Sequence, residues 1–222
     1  MDSFFKNVKV NSINEIYKNN DKIINIVLIS DGGVGKTSFA LRLENKNYKD
    51  YMKKAIIHSW TVGMDFFSLI FNYKDRNVKL RIFDTTFLNN FCSTGSKQIF
   101  KEVDIVFLFY DSSIKYTFET IKNKKNFFDN NFKRNTIFAL IRNKYDITKE
   151  EISDEEAIEF ADSNNMLFFH LSLFEKNETG IKELFENVFN EYLKRKKKNK
   201  CYYLFIIFYV FLTLIFIYYS LF

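Results

Sequence analysis

The 222-residue chain has no proline, one tryptophan, six glycines and two cysteines, and the cysteines exclude the most. Cys92 and Cys201 are too few and too far apart for a disulfide framework or a thiolate metal site, which fits a reducing compartment. The domain also lacks an excess of either charge. The formal net charge of +6 is matched by one run, KRKKKNK at 194–200, through Lys194, Arg195, Lys196, Lys197, Lys198 and Lys200, so residues 1–193 are balanced. A basic excess confined to that run argues against a face for a nucleic-acid polymer. The missing prolines, beside 28 phenylalanines and 13 tyrosines, describe a bias running through every segment rather than a function.

Lipid signals are absent as well. MDSFFKNVKV has no signal-peptide pattern, Asp2 stands where myristoylation needs glycine, and the closing YSLF holds no prenylatable cysteine. What stands there instead is CYYLFIIFYVFLTLIFIYYSLF, residues 201–222, with no charge, glycine or proline. As a helix it spans about 33 Å, enough for a bilayer core. Tyr202, Tyr203, Tyr218 and Tyr219 stand at its ends, where amphipathic rings prefer to sit. The sequence therefore predicts a single C-terminal transmembrane anchor. The N-terminal domain stays on the cytosolic face, with the basic juxtamembrane segment 194–200 on the same side.

Ahead of that anchor, 47% hydrophobic content supports one well-filled domain over 21–193, after an N-terminal extension at 1–20. Apolar runs bounded by turn signals predict six strands, at 23–30, 64–71, 78–84, 104–111, 135–143 and 167–172. Helices are expected at 37–45, 114–128, 154–164 and 179–193, the third opened by a capping box from Ser153 to Glu156. NYKDRN at 72–77 is too short for a crossover and reads as a hairpin turn. The fold class is α/β, a mostly parallel six-stranded sheet with helices on both faces. Ligands of such sheets sit at the carboxyl ends of the strands.

At the end of the first strand stands SDGGVGKTS, residues 30–38. Gly32, Gly33 and Gly35 let the backbone N–H groups turn inward on phosphate oxygens. Lys36 adds a charge, and Thr37 offers Mg²⁺ a hydroxyl at a helix N-terminus. This is a P-loop with Ser30 in place of its first glycine. Further along, NKYD at 143–146 follows the fifth strand. Asp146 can accept from a guanine's ring N–H and exocyclic amine together, while Asn143 and Lys144 brace the pocket.

These motifs together resemble the small GTPases of the Ras superfamily, the Rab branch above all, over residues 21–193. The resemblance implies GTP or GDP with Mg²⁺ as cofactors. It assigns nucleotide contacts to Asp31, Gly32, Gly33, Val34, Gly35, Lys36, Thr37 and Ser38, with catalysis resting on Lys36 and Thr61. TVGMDF at 61–66 is similar to the Rab switch I, making Thr61 a Mg²⁺ ligand beside Thr37 and Asp84. Tyr48 falls where a Rab aromatic packs on the base. SLF at 172–174 stands in the SAK loop, with Ser172 and Leu173 near the guanine oxygen, and YDSSIKYTF matches the fourth strand and its helix. Protein effectors would dock on switch I and switch II.

The chain also departs from that family. The loop from Tyr48 to Thr61 is longer, and Leu173 and Phe174 replace a small residue and a lysine. Where the family reads DTAGQE, this chain reads Asp84, Thr85, Thr86, Phe87, Leu88, Asn89. Phe87 stands for the glycine that senses the γ-phosphate. Leu88 stands for the glutamine that orients water, and it has no polar side-chain atom. Two functions stay open on the sequence: a membrane-anchored switch with slow hydrolysis, or a non-enzymatic scaffold with the same fold.

Overall fold

The computed structural model describes residues 5–6, 22–44, 48–57, 64–73, 76–85, 100–147, 149–173 and 179–198. In chain order the elements are β1 (Phe5–Lys6), β2 (Lys22–Ile29), α1 (Lys36–Glu44), α2 (Tyr48–Ile57), β3 (Met64–Tyr73) and β4 (Arg76–Thr85). Then follow β5 (Ile105–Asp111), α3 (Lys115–Asn123), α4 (Lys125–Asn131), β6 (Ile137–Asn143), α5 (Asp154–Ser163) and β7 (Leu167–His170). A last helix, α6, covers 179–198.

The strands form one sheet in the order β1-β3-β4-β2-β5-β6-β7. The pairs β2–β4, β2–β5, β5–β6 and β6–β7 are parallel, whereas β3–β4 and β1–β3 are antiparallel. All six expected strands are present. The seventh, β1, comes from the N-terminal extension and pairs Phe5 with Phe71 and Lys6 with Ile70. The hairpin between β3 and β4 is tighter than expected, because pairing continues down to Tyr73 opposite Arg76. The expected helix at 114–128 is two helices. Lys124 donates its N–H to both Thr120 O and Ile121 O at 3.2 Å, and helical bonding resumes from Phe128 N–H to Lys124 O.

Burial explains the layers. Every residue of β5, IVFLFYD, is buried, as expected of an interior parallel strand covered on both faces. Val106, Leu108 and Tyr110 pack in one cluster with Val27, Phe118, Ile121, Phe128, Ala157 and Ala161, from β2, α3, α4 and α5. Phe107 and Phe109 meet Phe39 of α1, with ring centroids 5.8 and 5.2 Å apart. Each such ring contributes about 2–3 kcal/mol by burial, so the strands are pinned from both sides. Helix α5 starts where the capping box places it: Ser153 accepts from the Glu156 N–H at 3.2 Å.

The chain divides into two compact units, Met1–Leu184 and Phe185–Phe222. In the second, the described residues are helical. Phe185 and Phe189 stack their rings at 5.7 Å, and Arg195 pairs with Glu191 at 2.8 Å. Among the described residues no helix is long and apolar enough to cross a membrane, and the expected anchor at 201–222 lies outside them.

Candidate functional site

The parallel strands β2, β4, β5, β6 and β7 bring their carboxyl ends to one rim of the sheet, and most of the expected site residues leave from those ends. Between β2 and α1 the loop needs left-handed backbone twice, at Gly33 (φ 78°) and Gly35 (φ 100°). Gly35 has a second constraint. A Cβ there would sit 2.3 Å from Asn143 Nδ2, so the loop passes against β6 only because glycine has no side chain. Asn143 uses that closeness and donates from Nδ2 to Val34 O at 2.6 Å, joining the phosphate-type loop to the NKYD loop.

Lys36 is buried, and its ammonium donates to Ser30 Oγ at 2.6 Å and Asp31 O at 2.9 Å. Ser30 in turn donates to Asp31 O at 2.6 Å. The serine that replaces the motif's first glycine therefore holds the lysine, a role the sequence did not reveal. Burial pushes Lys36 down to about 8, while Asp84 and Asp31 pull it up. Thr37, at the start of α1, donates to Asp84 Oδ2 at 2.5 Å. Asp84 is fully buried at the end of β4, where Thr85 next to it donates to Leu28 O at 2.8 Å and ties β4 to β2.

On the other side of the rim, Lys144 has φ 58° and its Nζ lies 2.7 Å from Asp111 Oδ2 at the end of β5. Burial pushes the Asp111 carboxyl up, but hydrogen bonds from Lys144 and Ser113 outweigh it and hold the group below its usual range. Asp146 is exposed, and its Oδ1 accepts from Ser172 Oγ at 2.6 Å. Leu173 is buried, with Cδ1 3.7 Å from the position a Gly35 Cβ would take. Val34 is buried, whereas Gly32 and Ser38 are partly exposed in the loop and first turn of α1.

Some expectations fall elsewhere. Thr61, Phe87, Leu88 and Phe174 lie outside the described residues. The stretch after Tyr48, expected as a long loop, contains α2 instead, with Tyr48 as its first residue; the Tyr48 side chain is likewise outside what is described. Tyr51 on α2 is buried, with the Arg42 guanidinium of α1 5.5 Å from its ring centre. That packing supplies what a short helix lacks in isolation.

The arrangement combines a glycine-dependent loop of backbone donors, a buried lysine, a hydroxyl–carboxylate pair and an exposed carboxylate two strands away. A sequence model of the Ras family matches residues 25–194. The chain belongs to the Ras family. It is 30% identical to Ras-related protein Rab-1D of Dictyostelium discoideum over 166 residues, 74% of this chain and 77% of that one. It is 29% identical over 180 residues to human Ras-related protein Rab-17, covering 80% of each chain, and 26% identical over 180 residues to Rab-2B of D. discoideum, covering 81% and 85%.

The residues of this Ras-family chain fit the cofactors that its family implies. Thr37 and Asp84 are hard oxygen donors already in contact, and among the described residues no cluster of three acidic or soft ligands competes with them. Two protein oxygens suit Mg²⁺, which completes its shell with water and phosphate. The left-handed turns at Gly33 and Gly35 and the buried Lys36 ammonium beside them suit a polyphosphate.

Proposed function

We propose that this Ras-family chain is a Rab-like switch that binds guanine nucleotide with Mg²⁺, sits on the cytosolic face of an internal membrane through residues 201–222, and recruits partners for vesicle trafficking. The observation that carries the nucleotide reading is the tie from Asn143 to Val34, with Asp146 bonded to Ser172 on the same rim. It supports that reading because it joins the loop that leads to Asp146, a two-oxygen acceptor suited to guanine, to a phosphate-type loop. Thr37, Asp84 and Thr61 would hold Mg²⁺, which when bound neutralises charge on the phosphates. Lys36 holds a proton beside them, and the backbone N–H groups from Gly32 to Ser38 orient the phosphates. Partners dock on the segments around Thr61 and Phe87–Leu88. Hydrolysis is slow, because Leu88 offers water no hydrogen bond.

The test is base choice. The protein with Mg²⁺ binds GTP and GDP far better than ATP, and Asp146→Asn moves the preference toward xanthine nucleotides; equal binding of ATP and GTP overturns the reading. For the anchor, full-length protein stays in membranes through alkaline carbonate. The basic run alone supplies only about 1 kcal/mol per residue near an anionic surface, so release by carbonate defeats the anchor. The replacements at Phe87 and Leu88 favour a second reading, a docking scaffold that does not turn over. Its mark is GTP, with no GDP, retained through purification.

A further inference from the structure

Arg142 stands at the end of an apolar strand, IFALIRN, with its side chain 1% exposed. A guanidinium in such a place costs several kcal/mol unless its nitrogens are paired, and an apolar side chain would fill the space at less cost. Its terminal nitrogens are divided between two carboxylates. Nη1 donates to Asp154 Oδ1 at 2.5 Å, at the first turn of α5, and Nη2 donates to Glu150. Asp154 does not serve Arg142 alone. Its other oxygen lies 2.9 Å from Nε2 of His170, the last residue of β7 and the parallel neighbour of Arg142 in the sheet.

Above this ion cluster lies the Tyr145 ring, the third residue of NKYD. The Arg142 guanidinium is 4.9 Å from its centre and the His170 ring 4.5 Å, so a side chain 49% exposed nevertheless has two partners. The Tyr145 N–H donates to Leu171 O at 3.2 Å, and the Leu171 N–H donates to Arg142 O at 2.8 Å. Each of the two loops on this side of the rim thus starts from the cluster. Arg142 precedes Asn143, and His170 stands two residues before Ser172. Between Arg142 and Tyr145 the backbone passes through Lys144 at φ 58°, a left-handed conformation costing a non-glycine residue roughly 1 kcal/mol or more, which persists only where its surroundings fix it.

We propose that Arg142 and His170, bridged by Asp154 and capped by Tyr145, are positioning residues for base recognition, setting where Asp146 stands relative to Ser172 and the phosphate loop. This rests on the guanine reading above and deepens it. The four act through the loop they hold, and the buried ion pair registers two loops, a role that an apolar side chain of the same volume could not take over.

The experiment compares GDP, IDP and ADP on the full-length protein in detergent. IDP lacks the exocyclic amine, so the GDP-to-IDP affinity ratio isolates the alignment of Asp146 from phosphate binding. Arg142→Met keeps the stem and leaves Glu150 and Asp154, 45% and 30% exposed, able to turn to water. It is expected to lower the GDP-to-IDP ratio by roughly fivefold or more, the size of a misaligned buried hydrogen bond. Tyr145→Leu, on a half-exposed side chain, should move the ratio in the same direction and covers the case in which Arg142→Met does not fold. His170→Gln, which keeps a donor toward Asp154, should hold the ratio closer to wild type than His170→Ala. A purely structural role would lower melting temperature and all three affinities together; an unchanged GDP-to-IDP ratio in Tyr145→Leu and His170→Ala overturns the proposal. Failure of the guanine reading looks different, since wild-type protein then shows no preference for GDP over ADP. Hydrogen exchange at the Tyr145 and Leu171 amides in nucleotide-free protein still decides the positioning role: faster exchange in Tyr145→Leu supports it, and equal exchange sinks it.

Discussion

Among the described glycines, Gly35 has the least freedom to change. Alanine there meets Asn143 Nδ2 and must also accept φ 100°, so Gly35→Ala either pushes Asn143 off Val34 or moves the loop. We expect a loss of about 2–4 kcal/mol in stability and of most nucleotide affinity. Gly33→Ala is the control. Its φ of 78° carries strain of about 1 kcal/mol, but no atom lies within 4 Å of the new Cβ. Thermal melts and GDP titration of the two variants should separate clearly; equal effects would show that backbone strain alone governs the loop. A second residue-scale expectation concerns Phe87 and Leu88. On the proposed function, with leucine in place of the water-orienting glutamine, hydrolysis would rest on Lys36 and the phosphate loop, and Leu88→Gln alone is expected to restore little beside a phenylalanine at 87. Phe87→Gly with Leu88→Gln should raise the single-turnover rate at least ~tenfold, a barrier change of about 1.4 kcal/mol. Wild type already hydrolysing at that rate would place the water on another residue, with Asn89 and Asn90 the first to test.

The ends of β5 and β6 and the start of α5 are joined by carboxylates, and this makes the domain sensitive to acid. For Asp154, burial pushes the carboxyl up, but hydrogen bonds from His170 and Arg142 hold it below its ordinary 3.8, as Lys144 and Ser113 do for Asp111. A folded value below the unfolded one means the two contribute stability in full above about pH 4 and lose it as pH falls through the folded values. Urea midpoints should therefore drop on acidification from pH 5 toward 3, and Asp154→Asn should flatten that slope; an unchanged slope would remove Asp154 from the account. At this scale the sequence was informative unevenly. The P-loop, NKYD and the Ser153 cap were legible because each is a local pattern whose residue types are dictated by the backbone they serve. Helix α2 was not, since its formation depends on packing such as Arg42 on Tyr51, and local propensity over 48–57 says little. Strand β1, two residues long, has no periodicity to read. The cluster around Arg142 left one signal that could have been followed: a charge at the end of an apolar strand demands partners, and none stands next to it in sequence.

Across the whole sheet, β3 is longer than the strand that covers its outer side. Ten residues of β3 pair with β4, but among the described residues only Ile70 and Phe71 are covered by β1. On the uncovered part Phe66 is 55% and Met64 40% exposed. Unpaired backbone beside exposed apolar side chains is a template for further strand pairing, which proteins ordinarily blunt with short or charged edge strands. The pair Phe5–Lys6, two residues of which one is basic, fits such a guard. Trimming residues 1–10, as a tidy expression clone might, would open the full length of β3. The trimmed protein should self-associate with rising concentration in light scattering while the full chain does not, and matching behaviour of the two would show that the edge is protected by something other than β1. On that expectation Phe5 and Lys6 would act as a solubility device, and a tag fused close to them deserves the same caution as a mutation in the core.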